Sequence, residues 1–401
     1  MSAHARERAL DRIADLTATG HDVITLWNEV TEVLNPVLPN FMGPCWFTLD
    51  PASLLITSHF NPRLREEFPP EMLEFEYYGE DVYDLASTAR SASGVSSIYE
   101  VTGGDPSASP RWQANVAMGG DQEVIVTLRT RSGESWGSMT VYREPGAPMF
   151  SDDDTGFLRA AAPFLGEGAR RALLIGEARD PDGPHAPSLL VLSAAGEVES
   201  STPGVERWVS DLPGGDWDAG RLPHAVMSVA AQALRSAAGR DAPGEVALAR
   251  VLSHSGTWVV LHGATMVSEG PQRVAVIVEP AHPARIAPLL MAAYGLTERE
   301  QEVTMLVLQG QSTGEIAERL VVSPHTVQQH LKNIFEKTGV RSRRDLTGKV
   351  FFSHDEPRLR DNERRADAGE PLRGGPFPSE PIDRLEEPPA PALERSTGDR
   401  R

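Results

Sequence analysis

The stretch LTEREQEVTMLVLQGQSTGEIAERLVVSPHTVQQHLKNIFEKTGVRSRRDL, from Leu296 to Leu346, carries four helix-start signals. A hydroxyl side chain at a helix N-cap accepts a backbone N–H. A carboxylate three residues later, or a proline at the first helical position, strengthens the signal. The four pairs are Thr297 with Glu300, Ser312 with Glu315, Ser323 with Pro324, and Ser342 with Asp345. They predict four helices between Leu296 and Phe352.

Apolar residues in the first three of these segments recur at helical spacing. They are Val303, Leu306 and Val307 in the first, Ile316, Ala317 and Leu320 in the second, and Val327, Leu331 and Ile334 in the third. The opposite face of the third segment is polar and carries His325, Gln329, Lys332 and Glu336, with Gln328 at its edge. A short helix, a tight turn and a third helix with a polar outer face predict a helix-turn-helix.

The polar face of the third segment suits a DNA major groove. Glutamine can make two hydrogen bonds to adenine, and lysine can donate to guanine. A cationic cluster follows, and its natural partners are phosphates; its members are Lys337, Arg341, Arg343 and Arg344. Thr313 could offer its hydroxyl and backbone N–H to a phosphate at the start of the second helix. The alternative is an ordinary solvated helix face, but the caps, the turn and the cationic cluster together favour DNA binding.

The segments LTERE, GEIAERL and SPHTVQQHLKNIFEKTGVRSR resemble the C-terminal domain of LuxR-type helix-turn-helix regulators. The resemblance implies that the third helix enters the major groove of double-stranded DNA, where the base readers would be Gln328, Gln329 and Lys332. It implies phosphate contacts from Thr313, Thr326, Lys337, Arg341 and Arg343. We add His325 to the candidate DNA contacts because it shares the polar face.

Two further expectations follow from this resemblance. Many members of the family dimerise through the fourth helix, so Leu346, Val350 and Phe351 form the candidate homodimer surface. A basic residue commonly follows the Thr-Val pair in the family, whereas this chain has Gln328 at that position. That departure leaves the preferred DNA sequence open.

The composition restricts what the rest of the chain can be. Among 401 residues with a formal net charge of −19, the lysines are Lys332, Lys337 and Lys349, all inside the predicted DNA-binding segment. The region before Lys332 therefore has no lysine for a P-loop, for a phosphoacceptor receiver domain or for a Schiff base. The single cysteine, Cys45, excludes an internal disulfide and a cysteine-rich metal site, and we expect it to be buried.

Hydropathy and the spacing of histidines and other polar residues argue against a membrane span, a metal site and catalysis. No apolar run is long enough to span a membrane, and the N-terminus lacks a signal-peptide core. We therefore expect a cytoplasmic protein without membrane contact. The histidines lack metal-ligand spacing, and no arrangement of Ser, His and Asp suggests catalysis. We expect no metal, no cofactor and no enzymatic activity.

Residues 1–177 combine a helical pattern, several strand-like runs and a long closing helix. The runs are CWFTLD, SLLITSHF, EVIVTLRT and SWGSMTVYR. The closing helix, SDDDTGFLRAAAPFLGEGARRALL, opens with Ser151 and Asp154 as a capping pair. This order resembles a GAF-type sensor domain, most closely in WGSMTVYR followed by PMFSDDDTGFL. The resemblance implies an α+β domain with a ligand cleft near residues 60–118.

A linker rich in proline and glycine is predicted at 178–187. The pattern of residues 188–285 predicts two strands, helical material and three antiparallel strands. This order resembles a PAS domain. The helix-turn-helix domain is placed at 290–353, and the polar tail at 354–401 is predicted to be disordered. The predicted fold is therefore multidomain: a GAF-like α+β domain, a PAS-like α+β domain, an all-α four-helix domain and a disordered tail.

The aromatic and acidic run FEYYGEDVYD offers one candidate ligand site. Acyl-homoserine-lactone sensors of the same superfamily surround the lactone with Trp, Tyr and Asp, and the matching candidates are Trp46, Tyr77, Tyr78 and Asp81. Val82 stands where those sensors have a proline. The alternative is that these aromatic residues pack a domain core beside an exposed acid.

These observations together predict a transcriptional regulator. Its helix-turn-helix would be controlled by the upstream domains, through a small molecule in the GAF-like domain or through a protein such as RNA polymerase. The alternative is a GAF/PAS signalling protein that acts through small-molecule binding or enzymatic activity, with an accessory DNA-binding domain.

Overall fold

The computed structural model describes residues 3–19, 21–61, 77, 81–172, 187–240, 246–267, 270–281 and 283–352. Tyr78, the predicted tail at 354–401 and all but the last residue of the predicted linker at 178–187 lie outside these residues. No helix within the described ranges is long and apolar enough to cross a membrane.

The first part of the chain is built on an antiparallel sheet with strand order β2-β1-β5-β4-β3. In chain order its elements are α1 (Ala3–Ala18), α2 (Val23–Leu34), β1 (Phe41–Leu49), β2 (Ile56–Phe60), α3 (Leu85–Arg90), β3 (Val95–Ser97), α4 (Ile98–Val101), α5 (Pro110–Ala117), β4 (Gln122–Arg129), β5 (Ser135–Arg143) and α6 (Asp152–Ala172). The runs EVIVTLRT and SWGSMTVYR form β4 and β5, which pair as an antiparallel hairpin. The predicted capping pair of α6 also forms, because Ser151 N donates to Asp154 and Asp154 N donates to Ser151 Oγ.

The second part contains a separate antiparallel sheet with strand order β7-β6-β10-β9-β8. Its elements are β6 (Ser188–Ser193), β7 (Val198–Ser201), α7 (Val205–Asp211), α8 (His224–Ala237), β8 (Leu248–Leu252), β9 (Trp258–Met266) and β10 (Arg273–Pro280). The two sheets share one relative order, in which the first strand lies between the second and the last. Two α+β parts are therefore present, as predicted.

A helical part completes the described chain. Its elements are α9 (Pro283–Ala293), α10 (Glu298–Leu308), α11 (Thr313–Leu320), α12 (Pro324–Thr338) and α13 (Arg343–Phe352). The last four are the helices predicted from the capping signals. Helix α9 spans the gap between the predicted limits at 285 and 290, so the connection between the second sheet and the DNA-binding segment is helical.

The core of the first part lies between its sheet and helices α1, α2 and α6. Trp27 of α2 stacks on Trp46 of β1, with ring centroids 4.4 Å apart and planes 3° from parallel. Gly166 brings α6 so close to the sheet that a Cβ there would lie 2.7 Å from the carbonyl carbon of Arg129. Only glycine fits this approach without displacing backbone.

The turn between β1 and β2 connects the first part to the second. Asp50 accepts hydrogen bonds from the backbone N, Nε and Nη2 of Arg250 on β8, at 2.9, 2.9 and 2.6 Å. Leu55, in the same turn, packs into the core of the second part. Because the Asp50 side chain is fully buried, losing Arg250 would leave an uncompensated charge at this junction.

Helix α9 belongs to two cores at once. Ile286, Leu289 and Leu290 pack into the core of the first part, whereas Met291 packs with the helices that follow. Arg170 of α6 donates to the carbonyl oxygen of Ala293 at 2.5 Å, which satisfies a free carbonyl at the end of α9. The closing helix of the first part is thus in direct contact with the entrance to the DNA-binding segment.

Candidate nucleic-acid interface

Three of the four predicted helix starts form as expected. Thr297 accepts from Glu300 N at 3.4 Å, and Glu300 accepts from Thr297 N at 2.8 Å. Ser312 and Glu315 repeat this reciprocal pair at 3.3 and 2.7 Å. Ser323 accepts from Thr326 N at 3.0 Å, with proline at the first helical position. These caps fix where α10, α11 and α12 begin.

The fourth start differs in one hydrogen bond. Ser342 accepts from Asp345 N at 3.1 Å, but Asp345 accepts from the backbone of Arg341 at 3.3 Å. Leu346, on the first turns of α13, is fully buried in the core shared with α10, α11 and α12. Leu346 is therefore not available for the dimer surface to which the resemblance assigned it. The side chains of Val350 and Phe351 lie outside the described part of the chain.

The turn between α11 and α12 contains a strained residue that the sequence did not indicate. Val321 ends α11 in the left-handed conformation, with φ of 54°. This conformation crowds Cβ against the backbone, so a β-branched residue is rare there. Val321 is also 89% exposed, so packing does not compensate for the strain. The sequence has no glycine or asparagine at this turn, so the left-handed conformation could not be predicted from it.

The predicted reading face of α12 is open to solvent. His325, Gln328, Gln329 and Lys332 are all exposed. Gln329 Nε2 donates to Asn333 Oδ1 at 3.3 Å, which orients its amide along the helix. A shallow groove runs beside this face and is lined by Gln328, Leu331, Lys332, Phe335 and Arg341. The structure thus brings the three predicted base readers and one predicted phosphate contact onto one surface.

Two of the predicted phosphate contacts are engaged within the chain. Lys337 Nζ donates to Glu300 Oε2 at 2.6 Å. Arg343 donates to the carbonyl oxygen of Gln311 at 2.7 Å and to Thr313 Oγ1 at 2.8 Å. These bonds connect α12 to α10, and α13 to the start of α11. Lys337 and Arg343 therefore fix the positions of these helices relative to one another.

Two of the other predicted phosphate contacts, Arg341 and Thr313, keep donors available. Arg341 is exposed in the connection between α12 and α13. Thr313 accepts a hydrogen bond from Arg343, so its own hydroxyl hydrogen can still be donated. Thr326 is half-buried, and its hydroxyl lies 2.8 Å from that of Ser323. Arg299, which the sequence did not single out, donates to the carbonyl oxygen of Leu320 at 2.7 Å and caps the end of α11.

The candidate ligand residues of the first part do not form one cluster. Trp46 lies on the face of the sheet that packs against the helices, and its indole N–H donates to Thr31 at 3.0 Å. Tyr77 lies in the core on the opposite face, with its hydroxyl 2.8 Å from His224 Nδ1 of α8. Asp81 accepts from the Ser109 hydroxyl at 2.5 Å and from Arg111 N at 3.1 Å. The sheet therefore separates Trp46 from Tyr77.

The face that contains Tyr77 also buries an ion pair that the sequence did not indicate. Arg111 donates two hydrogen bonds of 2.7 Å to Glu123, and Asn115 adds a third at 2.8 Å. Cys45 lies in the same core and is fully buried, as predicted. Burial raises the pKa of its thiol to about 12, so it remains protonated at neutral pH.

Known proteins match this chain over its C-terminal part. Residues 295–350 match the family model described as bacterial regulatory proteins, luxR family. A putative HTH-type transcriptional regulator of Mycobacterium tuberculosis is 49% identical over 51 residues, 13% of this chain and 6% of that protein. Spore germination protein GerE of Bacillus subtilis is 46% identical over 48 residues, 12% of this chain and 65% of that protein. The aligned residues therefore cover only 6% and 65% of the lengths of these two relatives.

A further relative and one solved structure complete the comparison. The monoamine regulon transcriptional regulator of Klebsiella aerogenes is 41% identical over 57 residues, 14% of this chain and 25% of that protein. The Escherichia coli DhaR(N)–DhaL complex covers 70% of this chain and 91% of its own, at 12% identity and a TM-score of 0.20, too low to support a shared fold. Residues 295–350, with their capped helices and the exposed polar face of α12, therefore form a LuxR-family helix-turn-helix domain.

Proposed function

We propose that this chain is a sequence-specific DNA-binding transcriptional regulator. The observation that carries the proposal is the solvent-facing row of Gln328, Gln329 and Lys332 on α12, with Arg341 beside the same groove. A helix with such a row fits the major groove, where glutamine and lysine can distinguish base edges. Two of the relatives described above are named transcriptional regulators, and we extend that role to this chain.

Different side chains have different roles in this proposal. Gln328, Gln329 and Lys332 read bases, with His325 at the start of the same face. Arg341 contacts phosphate through its guanidinium, and Thr313 contacts phosphate through its free hydroxyl hydrogen. Lys337 and Arg343 act through their bonds to neighbouring helices, which hold α12 at a fixed angle. The negative charge of the whole chain limits non-specific binding, so affinity depends on these local groups.

The upstream α+β parts serve as the input in this proposal. We assign them as GAF-like and PAS-like, supported by two five-stranded sheets with the same relative strand order. A small molecule or a partner protein acts on the first part, and RNA polymerase is one such partner. Helix α9 carries the response, because it packs in the first core and in the helix-turn-helix core. The chain has no enzymatic role in this scheme and acts in the cytoplasm.

The expected target is an inverted repeat bound by a homodimer. Two copies related by a two-fold axis place their α12 helices in successive major grooves, so the half-sites lie about one helical turn apart. Recovery of duplexes from a random pool by the full chain tests this proposal. We expect an enriched inverted repeat that shifts in a gel at low salt and loses affinity steeply as salt rises. A pool without any enriched sequence would overturn the proposal.

The input role has its own test. Native mass spectrometry of the full chain, purified from the cells in which it occurs naturally, would reveal a bound small molecule as a reproducible added mass. Denaturing conditions should remove a non-covalent ligand and serve as the control. A chain that carries no added mass and co-purifies with no protein would contradict control by the upstream parts.

A further inference from the structure

Three aromatic side chains lie near a single carboxylate at one edge of the first sheet. The Tyr99 hydroxyl donates to Asp121 Oδ1 at 2.6 Å, and Trp112 Nε1 donates to the same oxygen at 3.0 Å. Phe41 lies against Gly119, two residues before Asp121, where a Cβ would be 3.5 Å from its Cζ atom. We call Phe41, Tyr99, Trp112 and Asp121 the aromatic cluster.

The aromatic cluster lies at the rim of the core that contains Tyr77 and is open to solvent. Phe41, Tyr99 and Trp112 pack against that core, but each of them is only half-buried. Val116, one helical turn after Trp112 on α5, is 40% exposed. Tyrosine and tryptophan at a surface combine an apolar ring with a polar tip, which suits a binding site.

An irregularity in β1 sets the position of Phe41. The pairing of β1 with β5 shifts between Phe41 and Cys45. Met42 and Gly43, inside this irregular stretch, have φ of 54° and 78°. A bulge of this kind redirects the side chains beside it, and strained backbone is frequent at binding sites. The first residue of β1 is thereby turned towards the strand and helix ends that carry the rest of the aromatic cluster.

The aromatic cluster carries a negative charge without a cation of its own. Both hydrogen bonds that Asp121 accepts go to Oδ1, and Asp121 forms no ion pair with any residue that the structure describes. The neighbouring Arg111 and Arg143 donate to other carboxylates. Burial, the hydrogen bond to Asp121 and the charge of Asp121 raise the pKa of Tyr99 to about 12, so its hydroxyl stays protonated and keeps donating.

These features favour one kind of ligand. Tyr99 and Trp112 use their donors on Asp121, so the aromatic cluster offers a ligand its ring surfaces and the second oxygen of one carboxylate. Aromatic rings attract cations, and quaternary ammonium groups are often held by several rings. A primary ammonium has three N–H donors, which a single carboxylate oxygen cannot satisfy. A quaternary ammonium has no donor to satisfy, and its methyl groups gain from apolar contact.

We propose that the aromatic cluster binds a small molecule with a quaternary ammonium group. Asp121 is its counter-ion, and the rings of Phe41, Tyr99 and Trp112 contact its methyl groups. This inference rests on the proposed input role of the first part and deepens it by naming the chemical class of the ligand. The site uses none of the residues that the lactone sensors suggested.

Isothermal titration calorimetry of the full chain without DNA tests the site. Across the series from ammonium to tetramethylammonium, affinity should rise with each added methyl group, by about tenfold or more overall. Choline should bind about tenfold more tightly than its uncharged analogue, in which carbon replaces the quaternary nitrogen. The analogue has the same shape, so this comparison isolates the contribution of the charge.

Substitutions locate the binding within the chain. Asp121→Asn keeps an acceptor for Tyr99 and Trp112 but removes the charge, so choline should bind roughly tenfold more weakly. Trp112→Phe keeps an aromatic ring and should bind choline more tightly than Trp112→Leu. Asp216→Asn, at a half-buried acid of the second part, should leave the affinity unchanged. Circular dichroism checks that each variant is folded.

Several results would overturn the proposal. They are absence of choline and tetramethylammonium binding in the millimolar range, affinity that falls with methylation, equal affinity for choline and its uncharged analogue, or equal losses in Asp121→Asn and Asp216→Asn. Because no DNA is present, any of these results leaves the proposed DNA binding in place. A chain that binds choline as expected but selects no DNA sequence would support the site and overturn only the DNA-binding role.

Discussion

Lys337 Nζ donates to Glu300 Oε2 at 2.6 Å and so joins the end of the reading helix α12 to the first helix of the same domain. The Glu300 side chain is only 5% exposed, and its carboxylate also caps α10 through Thr297 N. One nearly buried carboxylate therefore fixes a helix start and the position of α12. Lys337, which the resemblance assigned to a phosphate contact, instead stabilises the packing of helices within the domain.

Replacing Lys337 should reduce the stability of this domain. Lys337→Met removes a charged donor from a nearly buried acceptor, so we expect the free energy of unfolding to fall by about 1–2 kcal/mol. Urea denaturation at pH 7, followed by a probe in residues 295–350, measures the change. Lys332→Met is the matched control on the exposed face and should change stability by less than about 0.5 kcal/mol. Equal effects of the two substitutions would contradict the role given to Lys337.

The same ion pair predicts a dependence on pH. Burial raises the pKa of Glu300, but the hydrogen bonds from Lys337 and Thr297 outweigh it and hold the pKa below its ordinary value of 4.5. A depressed folded pKa contributes stability above the unfolded value, and that contribution is lost as pH falls through the folded pKa. The stability difference between wild type and Lys337→Met should therefore shrink below pH 4.5. A difference that grows as the pH falls would contradict this account.

Relief of the strain at Val321 should stabilise the domain. A left-handed conformation costs an L-residue about 1–2 kcal/mol, and glycine avoids that cost. Val321→Gly should therefore raise the melting temperature despite the greater freedom of glycine in the unfolded chain, since the exposed side chain contributes little packing. Val82→Gly, at a 70% exposed valine without a positive φ, is the control and should give no gain. Loss of stability in Val321→Gly would contradict the strain assigned to this turn.

The contact between Arg170 and Ala293 should hold the entrance to the helix-turn-helix domain. Arg170→Ala removes the donor to the last carbonyl of α9 and should loosen the backbone at Tyr294, Gly295 and Leu296. Hydrogen exchange by mass spectrometry should show faster exchange there, by roughly tenfold for a loss of about 1.4 kcal/mol. Arg159→Ala, at an exposed position of the same helix, should leave this exchange unchanged. Unchanged exchange in Arg170→Ala would contradict the role given to this contact.

Local signals in the sequence predicted the output domain well, and long-range contacts could not be predicted. A cap and its helix lie within four residues of each other, so Ser312 and Glu315 reveal α11 without knowledge of the fold. The partner of Lys337 is 37 residues away, and nothing in the spacing identifies it. The resemblance placed Leu346 on a dimer surface, and nothing in the sequence distinguished the core of its own domain from a second copy.

The upstream region shows the same limit. Alternation in β1 places Cys45 and Trp46 on opposite faces, but only the paired sheet shows that Trp46 and Tyr77 lie in separate cores. Helix α9 was not predicted, and it spans the interval between the expected domain limits at 285 and 290. Nothing in its sequence reveals that its last carbonyl accepts from Arg170 of α6, more than 100 residues earlier in the chain.

The central claim is that α12 reads DNA sequence, and it is tested most directly by comparing the sequences selected by wild type, Lys332→Ala and Arg341→Ala as full chains. Loss of a base-reading lysine should alter the preferred base at one position of each half-site and cost about 1–3 kcal/mol on the original site. Loss of a phosphate contact should preserve the motif, weaken every sequence and reduce the slope of log affinity against log salt by about 0.9. Equal effects of both substitutions on every sequence, or no sequence preference in the wild type, would contradict the claim.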